Sequence, residues 1–85
     1  MRLRRDAVEW KEIEGEIVAL EADTSTYVAS NKSGAVLWQA LATGATREQL
    51  TEQLTARYGI AAEAARADVE SFVGALAARG LLEEA

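Results

Sequence analysis

Apolar residues along this chain change their period once, near Ser33, from alternation to a helical spacing. Upstream, three short runs read as strands. Trp10 and Ile13 lead into Gly15, then Ile17, Val18 and Leu20 into an Asp23-Thr24-Ser25 turn, and Tyr27-Val28-Ala29 runs up to Asn31. Glycine and small polar residues between the runs suit tight turns, with a hairpin expected at Gly15. The third strand is expected at a sheet border, with a row of unpaired backbone donors and acceptors. Such a row is either an aggregation hazard or a docking site for an extended peptide. With no histidine or cysteine anywhere in the chain, a binding module is the expected class and docking the expected use.

Downstream, residues 34–42 predict a first helix with Val36, Leu37, Trp38 and Leu41 apolar. Asn31 or Ser33 can accept its free N-terminal amides, and Gly44 ends it. A second helix opens at Thr46, three residues before Gln49, which is the spacing of a capping box. Leu50 and Leu54 follow one turn apart, and the helix stops at Gly59. From Ala61 onward, Ala65, Val69, Phe72, Val73, Leu76 and Ala77 recur at helical spacing as far as Arg79-Gly80, making this the longest helix. Leu81-Leu82 is expected to fold back onto the core. Trp10, Trp38, Leu50 and Leu54 are the expected core anchors. No proline, low-complexity tract or internal repeat separates strands from helices, so both should share the core of one α+β domain covering residues 1–85.

Composition narrows the function more than the fold. A hydrophobic fraction of 49% and a charged fraction of 27% belong to a folded globular chain. The net charge of −5 is uneven: residues 1–11 carry four basic and two acidic groups (+2), leaving five basic and twelve acidic groups (−7) for residues 12–85. No helix carries the basic stripe by which nucleic-acid binders displace counterions, so a nucleic-acid partner is not expected. The basic Met1-Arg2-Leu3-Arg4-Arg5 lead lacks the apolar run of a signal peptide, and no segment is long enough to span a bilayer. With Cys 0, a cytoplasmic protein with no membrane partner is the reading.

Candidate chemistry is sparse. Carboxylates, Lys11, Lys32, two tyrosines and scattered hydroxyls form no spaced constellation for acid, base or nucleophilic work, so no catalytic residue is assigned. Glu12, Glu14 and Glu16 flank Gly15 at an expected hairpin turn, where exposed carboxylates are common and one-sided metal binding is weak; no metal or cofactor is expected. Asn31-Lys32-Ser33-Gly34 could be the modified serine of an acyl-carrier domain, but three strands disagree with a helical bundle, and a helix cap explains the tetrapeptide.

The order of these motifs resembles the PqqD-like family. Trp10 precedes a Glu14-Gly15-Glu16-Ile17 hairpin; Tyr27, Asn31 and Gly34 precede Leu37-Trp38; Leu50 and Leu54 precede Tyr58-Gly59; and Asp68-Val69, Phe72 and Leu76 precede Gly80-Leu81-Leu82. The resemblance covers residues 8–83. It implies a winged-helix-like fold of three antiparallel strands and three helices, and a non-catalytic recognition element for ribosomally made, post-translationally modified peptides. In that family the leader of the precursor peptide adds as a strand beside the third strand, in a cleft closed by the last helix. Carried onto this sequence, the peptide-binding residues are Tyr27, Val28, Ala29 and Ser30 on the border strand, faced by Asp68, Val69, Phe72, Val73 and Leu76. An apolar helix face supplies both core and groove, so Phe72 and Leu76 read equally well as either.

A free-standing domain of this size resembles either the pyrroloquinoline quinone precursor chaperone or the split-off recognition protein of lasso peptide pathways. The short chain and basic lead favour the lasso relatives, implying a leader peptidase, and with it a cyclase, as partners. Relatives often open the last helix with an acidic cap and a proline, where this chain has Ala61-Ala62. The competing expectations are a winged-helix DNA-binding regulator and an assembly subunit that pairs with itself through its free border.

Overall fold

The structure is a computed structural model and describes residues 1–84. Its elements run β1 (Arg2–Leu3), β2 (Val8–Ile13), β3 (Glu16–Glu21), β4 (Tyr27–Ser30), α1 (Lys32–Thr43), α2 (Arg47–Tyr58), α3 (Ala62–Ala78) and β5 (Leu82–Glu83). The three expected strands form an antiparallel meander in the order β2-β3-β4, and the three expected helices follow. This is the α+β arrangement that the sequence predicts.

Local chemistry explains the connections. Glu14 and Gly15 both take positive φ, 54° and 81°, between the closing pair Ile13 and Glu16. Positive φ at both central residues makes a two-residue turn that follows the twist of the strands, and glycine supplies the second at little cost. α1 starts two residues earlier than its apolar pattern indicates, because Asn31 is the cap. The Asn31 Oδ1 accepts from the Gly34 N–H at 2.9 Å and from the Ser33 hydroxyl at 3.0 Å. At α2 the capping box is complete: Gln49 N–H donates to Thr46 Oγ1 at 3.1 Å, and Thr46 N–H donates to Gln49 Oε1 at 2.9 Å. α3 begins at Ala61 without a side-chain cap.

The core lies on one face of the sheet. Ile17 and Ala19 point from β3 onto Leu37, Trp38 and Leu41 of α1, which is enclosed in turn by Leu50 and Leu54 of α2 and by Ala65, Val69, Val73 and Leu76 of α3. Trp38 is fully enclosed. Its indole N–H has no acceptor, so the ring is held by packing, and Trp10 meets it edge-to-face with centroids 6.0 Å apart. Trp10 itself corrects the sequence reading. It keeps 36% of its surface, because β2 is a border strand and, unlike Val8 at its start, Trp10 overhangs the rim of the core.

Two further ties bring the ends of the chain together. β1 pairs with β5, Arg2 opposite Glu83 and Leu3 opposite Leu82, with Leu3 and Leu81 buried. Leu81-Leu82 thus folds back as expected, onto a strand that the sequence did not announce. Glu21, at the end of β3, is buried at 6% and pairs with Arg79 at the end of α3. A buried carboxylate needs such a partner, and the pair fixes the sheet against the last helix.

Candidate functional site

β3 has partners on both sides, so the outer side of β4 is open. Which groups it presents follows from the ladder. Glu21 N–H donates to Thr26 C=O at 2.9 Å, and Ala19 and Ile17 stand opposite Val28 and Ser30. Antiparallel pairs alternate between exchanging hydrogen bonds and not, so Val28 and Ser30 spend their backbone groups on β3. Tyr27 and Ala29 turn theirs outward, and no backbone bond among the described residues reaches them. The side chains alternate as well. Val28 and Ser30, both half-buried, share the helical side with Ile17 and Ala19, whereas Tyr27, 73% exposed, and Ala29 lie on the outer face.

The strand is placed by a close contact beneath it. Gly34 is buried in the first turn of α1, and a Cβ there would stand 2.9 Å from Ser30 Cβ and 3.3 Å from Asn31 Oδ1. Only glycine lets the helix start this close to the end of β4.

The five residues expected on α3 divide. Val69, Val73 and Leu76 are closed onto the core at 1%, 2% and 4% exposure, forming a floor with no open surface. Phe72 is half-buried at the margin of the same core that Val28 borders, and Asp68 is exposed. Val28, Ser30 and Phe72 are therefore the side chains at once anchored and reachable. Sequence reasoning missed a second surface. The outer sheet face holds a shallow depression of about 280 Å³ lined by Lys11, Val18, Leu20 and Tyr27 among others, legible only once alternation along β3 is paired with its neighbours.

The glutamates near the hairpin do not converge. Glu12 lies on the helical face and accepts from Gln39 Nε2 at 2.8 Å, while Glu16, opposite Ile13, lies on the outer face. Among the described residues no cluster of three or more His, Cys, Asp or Glu side chains could hold a metal ion. No helix of those residues is long and apolar enough to cross a membrane.

The model of the family described as coenzyme PQQ synthesis protein D (PqqD) matches residues 16–82, from β3 to β5. The chain belongs to the PqqD family. Among solved structures, TbiB1 in complex with the TbiA(beta) leader peptide superposes with a TM-score of 0.89 at 30% identity, over 100% of this chain and 98% of that one. Lasso peptide synthetase B1 complexed with the leader peptide gives a TM-score of 0.82 at 23% identity, over 98% and 96% of the two chains, a likeness of fold alone. The comparison with curated proteins finds no match. This PqqD-family chain therefore carries the family's sheet and helices over nearly the whole length of both structural relatives.

Proposed function

We infer that this protein is a non-catalytic recognition element that binds the leader of a ribosomally made precursor peptide by strand addition to β4. One observation carries the reading: an uncharged strand whose Tyr27 and Ala29 amides and carbonyls face outward, with half-buried Val28 at the margin of the core that Phe72 also borders. A leader strand laid there makes about four backbone hydrogen bonds, accepting two and donating two, which contribute roughly 2–6 kcal/mol at ~0.5–1.5 each. A micromolar complex requires about 8 kcal/mol net, and ordering a flexible leader costs a further ~2–5. Backbone pairing is too weak alone. The difference must come from apolar leader side chains, at ~1.5–3 kcal/mol each, packed against Val28 and Phe72. Selectivity then lies in those contacts, because a backbone ladder reads no sequence.

Likeness to TbiB1 in complex with the TbiA(beta) leader peptide supports leader binding, and the fold shared with lasso peptide synthetase B1 fits a lasso peptide pathway, where the bound precursor is handed in the cytoplasm to a leader peptidase and then to a cyclase. The family description favours a second reading, a peptide chaperone for pyrroloquinoline quinone synthesis. A synthetic leader taken from a short precursor encoded beside this chain's gene separates the two by its own sequence. Calorimetric titration should give a Kd on the order of micromolar or tighter, and Phe72→Ala should weaken it about tenfold while the far-ultraviolet spectrum is retained. Binding unchanged in Phe72→Ala would remove α3 from the site. No binding of that leader to the native protein would end the reading.

A further inference from the structure

The sheet has a second free border. β2 pairs only with β3, and no backbone hydrogen bond among the described residues reaches beyond it. Ala22 N–H donates to Ala7 C=O at 2.9 Å, which sets the phase of this ladder. Glu9, Lys11 and Ile13 turn their backbone groups to β3, and Val8, Trp10 and Glu12 turn theirs outward. At this border Trp10 keeps 36% of its surface on the helical face and Ile13 45% on the outer face.

A two-fold axis through β2 would make the border its own partner. Outward groups must meet outward groups, so an axis that pairs three or more residues of β2 passes through Glu9, Trp10, Lys11 or Glu12. Centred on Glu9 or Glu12, the pairing sets that carboxylate against its own copy, and centred on Lys11 it sets ammonium against ammonium. Like charges directly opposite destabilise a sheet. Centred on Trp10, it sets Glu9 opposite Lys11 twice on the outer face, Val8 opposite Glu12, and the two indoles against each other beside Trp38. Ile13 then meets Ala7. Within the strand, this register alone sets no like charges opposite each other.

We propose that β2 is a homodimer interface in which two copies join their sheets antiparallel about Trp10, with reciprocal Glu9–Lys11 pairs fixing the register. The strand's alternation of Glu9, Trp10 and Lys11 is self-complementary under a two-fold axis, as an isologous contact requires. The border is short and charged enough to refuse other registers, so the dimer is weak and specific. It occupies the side of β3 away from β4, and the inference is independent of any reading of β4.

Sedimentation velocity over about two decades of protein concentration tests it. The native protein should show a reversible monomer–dimer equilibrium. Glu9→Lys and Lys11→Glu should each weaken association roughly tenfold or more by turning both cross-strand pairs repulsive. The double variant should recover it, and an equimolar mixture of the two single variants should form a heterodimer, because an all-acidic border then meets an all-basic one. Ala29→Pro, which removes an outward amide of β4, should leave the dimer intact. A native protein that sediments as a monomer throughout, charge reversals without effect, or a dimer lost in Ala29→Pro would each overturn the proposal.

Discussion

The two borders of this sheet offer the same backbone opportunity and different side chains. β4 spans four residues, Tyr-Val-Ala-Ser, without a charge, and β2 spans six, of which Glu9, Lys11 and Glu12 are charged. Charged side chains restrict what an open border can pair with. An uncharged strand whose half-buried Val28 borders the core can take guests chosen by their apolar side chains, whereas a strand with alternating charges takes only a partner that answers them. An unpaired ladder therefore does not determine its occupant; the residues flanking the outward amides do.

The comparison breaks first at the shared foundation. Trp38→Ala removes the largest core side chain from beneath β3 and Trp10, and is expected to cost about 3–5 kcal/mol. Chemical denaturation should then show a lower midpoint, with both borders lost together. A more selective break is Val28→Glu. It places a carboxylate at the margin of the core on the guest's side of β4, so leader affinity should fall by about thirtyfold or more in a titration, as burying an unpaired charge requires. Gly34→Ala follows, because its new methyl meets Ser30 and the Asn31 cap. A cost of about 1–3 kcal/mol is expected, read as a lower thermal midpoint together with weakened leader binding. The smallest effect sharpens the contrast most: Lys11→Glu should change leader affinity by less than about twofold, since exposed charges two strands away contribute little.

Much of this architecture was legible because its signals are local. Turn residues around Gly15, the Asn31 cap and the Thr46–Gln49 box lie within four residues of what they organise, and the order of motifs carried the family. The β1–β5 pairing was not legible: two-residue strands from opposite ends of the chain have no periodicity of their own, and only the folded core brings Leu3 to Leu82. The Glu21–Arg79 pair was hidden for the same reason, since 58 residues separate its members. Trp10 was misplaced because alternation tells which face a side chain takes, and not how far the core extends beneath it. In α3, one apolar stripe holds both the enclosed Val69, Val73 and Leu76 and the marginal Phe72, a division that depends on how far the core extends over the helix.

Amide hydrogen exchange, resolved by residue in the free and leader-bound protein, tests the central claim most directly. In the free protein the outward amides of Tyr27 and Ala29 should exchange quickly, while those of Val28 and Ser30, bonded to β3, are already protected. Leader binding should slow Tyr27 and Ala29 by about tenfold or more and leave Val28 and Ser30 nearly unchanged. New protection that appears at Val8, Trp10 and Glu12 instead, with none at Tyr27 and Ala29, would contradict strand addition at β4.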